Sequence, residues 1–120
     1  YEDVSLSTFN YIKTGLENLF INEELGYCYT YLPKDSPKVN YKMIDFIRQL
    51  GKIDVFLVFS ELENNVIKIS LRSKQFFDVC SFSHQFGGGG HARAAGITLT
   101  GKLPDVKDKV CKALEKSLKS

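Results

Sequence analysis

The chain has 120 residues, 43% of them hydrophobic and 25% charged, with a net charge of +2. That size fits one domain with one core, and so small a net charge requires any anion site to be local. No apolar run approaches the roughly 18 residues of a membrane span, and no signal-peptide pattern opens the chain. Cys28, Cys80 and Cys111 are scattered and odd in number, which argues against a disulfide framework and suits a reducing, cytoplasmic setting. The chain opens at Tyr1 and its single Met is Met43, which we read as a piece of a longer protein.

Periodicity gives the elements in order. Residues 8–21 carry Phe9, Ile12, Leu16, Leu19 and Phe20 at helical spacing, with Ser7 or Thr8 as cap. Tyr27 to Leu32, rich in Tyr and Thr after Gly26, reads as a strand. Pro33 to Lys38 reads as a polar loop, and a second helix is expected over about Asn40–Leu50, capped by Asn40 and stopped by a left-handed Gly51. The apolar run Ile53–Leu62 and the alternating run Val66–Lys74 predict a hairpin turning on Asn64-Asn65. This places Val66, Lys68, Ser70 and Arg72 on one face.

Asp78 is a candidate N-cap, with Phe77 and Phe82 at staple spacing. That helix is expected to end at the glycines, with one helical turn starting at His91, a strand over Ile97–Thr100 and a last helix from Pro104. The fold class expected is α+β, a single domain with helices packed on a mixed β-sheet.

The chemistry concentrates at Gly87-Gly88-Gly89-Gly90-His91. Glycine lets consecutive N–H groups converge on an anion, a helical turn at His91 would add its free donors, and His91 and Arg93 can both reach a phosphate. The run follows a helix, which excludes a dinucleotide fingerprint, and no Gly-Lys-Ser/Thr makes a Walker loop. Ser70 and Arg72 on one strand face, with Ser73 and Lys74 at its end, read alone as a wet sheet face with a positive tip, and beside an anion loop they offer a second set of phosphate or ribose contacts. Tyr27, Tyr29 and Tyr31 share a strand face that suits core packing more than base stacking. Cys80, His84 and His91 lack a paired-cysteine motif or a fourth ligand, so no metal site is assigned. No nucleophile motif or carboxylate-rich metal motif appears.

Ser70-Leu71-Arg72-Ser73, then Asp78-Val79, then Phe86 through His91 to Gly96 resembles the DHH-associated domain, of the type with the Gly-Gly-Gly-His motif, found in DHH phosphoesterases. The subgroup most similar is the bifunctional oligoribonuclease and phosphoadenosine-phosphate phosphatase type. The resemblance implies a connector helix over residues 1–22 and a substrate-binding domain over residues 23–120. It implies an N-terminal DHH catalytic domain with two manganese ions, and short single-stranded RNA or DNA, or a nucleotide phosphate, as partner. It implies no membrane and allows a homodimer. By match to the motif, Gly88, Gly89, Gly90 and His91 would contact phosphate, with His91 in the catalytic role, and Arg72, Ser73 and Arg93 would support it. The chain itself has no Asp-His-His motif, and Ser83 stands where a small Ala is expected. Similar domains end alanyl-tRNA synthetases and occur in cyclic-di-AMP phosphodiesterases, which are the alternatives.

Overall fold

The computed structural model describes residues 5–33 and 37–120. Tyr1–Val4 and residues 34–36 of the expected 33–38 loop lie outside that range, and the loop's last two residues are helical. The elements run α1 (Leu6–Glu17), β1 (Phe20–Asn22), β2 (Tyr27–Leu32), α2 (Pro37–Ile47), β3 (Val55–Glu61), β4 (Val66–Ser73), α3 (Val79–Ser83), β5 (Gly89–His91), β6 (Ala94–Thr100) and α4 (Leu103–Lys119), with a 3-10 turn over His84–Phe86 after α3. The six strands form one sheet in the order β1-β2-β3-β4-β6-β5. Only β2 and β3 pair in parallel, because α2 carries the chain across between them. The expected α+β class with a mixed sheet is what forms.

The sheet has a helix layer on each face. Against one face, α3 and α4 bury Val79, Phe82, Val106, Val110 and Leu114 on Leu57, Phe59, Ile69, Leu71 and Ile97. Against the other, α2 buries Met43, Ile44 and Ile47 on Cys28, Phe56 and Val58, with Tyr11 and Ile12 of α1 at the margin. The strict alternation of burial along β4 follows from this, since its even-numbered residues face away from the α3/α4 core.

Four local readings change. The first helix stops at Glu17, and Phe20 joins a strand instead, where its ring stacks on its register partner Tyr29 at 5.0 Å; strand pairing overrides the helical spacing of Leu19 and Phe20. Its cap is Ser5, whose Oγ accepts from the Thr8 N–H at 3.2 Å. The second helix begins at Pro37, a favoured first position, and the left-handed residue beyond it is Lys52 (φ 66°) rather than Gly51. Finally, no helical turn starts at His91; β5, the two-residue turn Ala92-Arg93 and β6 make a tight hairpin. The β3–β4 turn is as expected, with Asn64 and Asn65 at φ 62° and 58°.

Candidate functional site

The antiparallel register builds the site row by row. Phe56, Arg72, Ala94 and His91 are neighbours across β3, β4, β6 and β5, and Val58, Ser70, Gly96 and Gly89 form the next row. Ser60, Lys68 and Thr98 form the third. Cross-strand partners share a face, so Lys68, Ser70, Arg72 and His91 all stand on the α2 side of the sheet. The core cluster beneath α2 takes in Cys28, Phe56 and Val58 from β2 and β3 and no residue of β4, β5 or β6. One half of this face is therefore apolar and roofed, and the other is cationic and open.

The floor of the open half is bare. Gly96 and Gly89 face each other across β6 and β5. A Cβ on Gly89 would meet nothing within 4 Å, and one on Gly96 only the Ile69 carbonyl oxygen at 3.9 Å. Neither has the positive φ that demands glycine. Gly88 and Gly90 differ. A Cβ on Gly88 would lie 2.2 Å from the Gly96 carbonyl oxygen, and Gly90 has φ 147° and would collide with the Ala94 carbonyl oxygen at 2.5 Å. These two glycines let β5 close onto β6.

The glycine run is thus not a continuous cradle of converging donors. Gly87, at φ 76°, ends the 3-10 turn in the left-handed conformation. Its N–H donates to the His84 carbonyl at 3.1 Å and that of Gly88 to the Ser83 carbonyl at 3.0 Å. From Gly89 onward the chain is an extended edge strand, where alternate N–H groups face away from the partner strand. The anion chemistry passes to that edge, to the exposed His91 side chain and to the cations on the neighbouring strands.

Arg72 is half-buried, and its Nη1 donates to the Leu71 carbonyl at 3.0 Å. Burial lowers its pKa, and the neighbouring Arg48 cation lowers it further. Arg48 directly follows α2. No sequence pattern pointed to it.

Ser73 and Arg93 have structural employment. Ser73 points to the opposite face and is 3% exposed. Its hydroxyl is 2.6 Å from the Phe77 carbonyl oxygen and 3.3 Å from that of Ala92, and it accepts from Arg93 Nη1 at 3.0 Å. With the Ser73 N–H on the Arg93 carbonyl (3.1 Å) and the Val79 N–H on that of Ala92 (3.0 Å), these bonds bolt the β5–β6 turn to β4 and α3. The preceding loop is held by Asp54, whose carboxylate accepts from the N–H groups of Lys74, Gln75, Phe76 and Phe77. Burial pushes the Asp54 pKa up, but those four donors outweigh it and leave the pKa below its usual value.

Cys80 and His84 do meet, with Sγ 3.6 Å from Nε2, and the thiol also donates to the Gly90 carbonyl at 3.3 Å, tying α3 to β5. Among the described residues no three His, Cys, Asp or Glu side chains come together to hold a metal ion. Burial pushes the thiols of Cys28 and Cys111 up to about 12, so neither is a nucleophile at neutral pH. The tyrosines lie on the α4 side, away from Arg72 and His91. Tyr27 is buried with its hydroxyl on the Glu115 carboxylate, Tyr29 stacks on Phe20, and Tyr31 is 41% exposed.

The same fold occurs in solved structures. An exopolyphosphatase-related protein from Bacteroides fragilis superposes on all of this chain, at TM-score 0.82 and 21% identity, using 38% of its own length. PggH, a pGpG-specific phosphodiesterase from Vibrio cholerae, matches 93% of this chain at TM-score 0.64 and 14% identity, also over 38% of its length. The C-Ala domain of Aquifex aeolicus alanyl-tRNA synthetase matches 78% of this chain and 93% of its own, at TM-score 0.61 and 22% identity. At such identities these likenesses show the fold alone. In sequence, the chain is 26% identical over 100 residues to the A-adding tRNA nucleotidyltransferase of Aquifex aeolicus, covering 82% of this chain but only 12% of that protein. The DHHA1 domain model matches residues 24–120, all the strands from β2 onward and the open sheet face with them, and the chain belongs to the DHHA1 domain family.

Proposed function

We propose that this chain is the substrate-holding domain of a phosphoester hydrolase and that its open half-face receives the phosphate of a short single-stranded RNA or DNA or a related nucleotide. The observation that carries the reading is the row Arg72, Ala94, His91, which sets a half-buried cation and an exposed imidazole across a small floor. His91 and Arg72 donate to phosphate oxygens, and His91 stands where charge would develop on the reacting phosphoryl group. Arg93 and Ser73 hold the turn that presents His91. The two relatives whose names carry a phosphatase or phosphodiesterase activity favour an anionic phosphorylated ligand.

Hydrolysis by manganese-activated water, as expected of the oligoribonuclease group, is assigned to a separate N-terminal DHH domain. In this reading the chain's own part is to bind and orient.

Titrating the 120-residue chain with a 5′-mononucleotide should move the amide signals of Arg72, Gly89, His91 and Gly96 and leave Tyr29 and Tyr31 in place. His91→Ala should weaken that binding about tenfold, the worth of one charge-assisted hydrogen bond. Joined to its catalytic domain, the same variant should lose about a hundredfold or more in turnover. Shifts centred on the tyrosine face would overturn the reading. A second reading, a nucleic-acid-binding module without hydrolysis, is favoured by the C-Ala likeness, which spans 93% of that domain. Under it His91→Ala would weaken binding with no turnover to lose.

A further inference from the structure

Helix α1 has two apolar sides, and the fold uses only one of them. Its inward side is marked by Gly15, which is buried so close to Met43 of α2 that an added Cβ would lie 2.3 Å from the sulfur. The Gly15 carbonyl also accepts from the Thr30 hydroxyl of β2, which fixes the rotation of the helix. Leu6, Phe9, Lys13 and Leu16 recur at the three-and-four spacing of a helix seam, and they line up on the side away from Gly15. Leu6 is 75% exposed and Phe9 59%, and Phe46 of α2, 57% exposed, lies beside them. Phe9, Leu16 and Phe46, with Ile12, Lys13 and Glu17, line a shallow groove between the two helices. A contiguous patch of large apolar side chains with a charged rim marks an interaction surface.

The geometry points to a second copy of this chain as the occupant, with α1 packed antiparallel on α1 of the copy about a two-fold axis centred between Lys13 and Glu17. Charge selects both the partner and the direction. Lys13 and Glu17 stand at the groove, each 65% exposed, and within one chain they form only a long i,i+4 pair at 3.9 Å. In the antiparallel pair, Lys13 of each copy meets Glu17 of the other, so the surface is complementary to itself, as a two-fold contact requires. A parallel pair would set Lys13 against Lys13 and repel. The apolar side chains supply the attraction, and the charges set direction and register. With 12 residues, α1 is about 18 Å long. The contact is therefore at the small end of specific interfaces, and its Kd should be roughly 10–100 µM. Because α1 lies over β2, away from β4, β6 and β5, the inference does not depend on the phosphate site.

Sedimentation equilibrium of the 120-residue chain, over roughly 5–500 µM to bracket that Kd, should show a monomer giving way to a dimer. Phe9→Ser should remain monomeric throughout and melt with the dilute wild type, since Phe9 is largely exposed. Lys13→Glu and Glu17→Lys should each weaken self-association about tenfold, because like charges then face each other across the axis. Mixed in equal amounts, these two variants should bind each other at least as tightly as the wild type binds itself, since every facing pair is then opposite in sign. A wild-type chain that stays monomeric to the top of the range would overturn the inference. So would association in which mixing restores nothing, which would reduce the stripe to apolar adhesion without an axis. Growth past the dimer would overturn it too, because a two-fold contact closes on itself. Burial of Phe9 by the proposed N-terminal domain, in a longer chain that stays monomeric, would likewise refute the dimer.

Discussion

One sheet face carries two surfaces that differ in almost every physical respect. On β2 and β3, Cys28, Phe56 and Val58 lie dry beneath α2. Immediately beside them, on β4, β6 and β5, Lys68, Ser70, Arg72, Thr98 and His91 stand on the same face with no helix of the core cluster above them. The backbone is continuous between the halves, and Phe56↔Arg72 and Val58↔Ser70 are direct neighbours. The difference lies in the cover, and the crossover sets the cover: α2 connects β2 to β3, so it lies over those strands and leaves the rest bare. The candidate site is the half of the sheet from which a helix is withheld.

The sharpest way to break this comparison is one substitution at both members of a neighbouring pair. Val58→Lys buries an unpaired charge at a position 1% exposed, and it should cost at least about 4 kcal/mol and unfold most of the chain. Ser70→Lys, one strand away, should change stability by no more than about 0.5 kcal/mol. Urea titration of the two variants decides it, and similar costs would mean that the open half is not open.

Within the open half, Gly88→Ala and Gly89→Ala separate a glycine required by packing from one that leaves room. The first drives a methyl into the Gly96 carbonyl and should cost about 1–3 kcal/mol. The second meets no atom and should be neutral within about 0.5 kcal/mol, or slightly stabilising through the unfolded chain. Thermal melts that rank the two in the opposite order would remove the basis for treating the floor as spare space.

The smallest effect concerns how the end of the open half is secured. With no helix above it, that end is pinned by hydrogen bonds, among them the four on Asp54. Its folded pKa is depressed, so its contribution is present above the unfolded value and fades as pH falls through the folded one. Asp54→Asn should lower stability at pH 7 by about 1 kcal/mol and flatten the acid limb of the stability curve, with little difference from wild type at the lowest pH. An unchanged acid limb would show that the loop is held by something else.

Much of this was legible in the sequence because it is local. Alternation along Val66–Lys74 put Lys68, Ser70 and Arg72 on one face, the paired asparagines gave the turn, and Asp78 gave the cap, with its Oδ1 accepting from the Ser81 N–H at 3.0 Å. The staple likewise closed, with Phe77 and Phe82 rings 5.8 Å apart. What escaped was tertiary. Four glycines look the same in a string, yet two are fixed by close approach to β6 and two are not. Ser73 is a polar residue in a polar motif, and only the sheet shows it facing inward. Arg48 follows a helix with no motif around it, and only the folded chain brings its charge near enough to lower the Arg72 pKa.

Arg72 has one more consequence. A guanidinium partly out of water costs desolvation that its one bond to the Leu71 carbonyl offsets only in part, and a Met or Leu there should fold at least as well. On the proposed function, the native state that this penalty weakens is the one that an anion would bind, so the two equilibria would be linked. As free ligand rises past its dissociation constant, the folded population is drawn up by mass action, by about 2.7 kcal/mol at a hundredfold excess. On the proposed function, the domain would be most robust when occupied, and its abundance would be tied to the supply of its ligand.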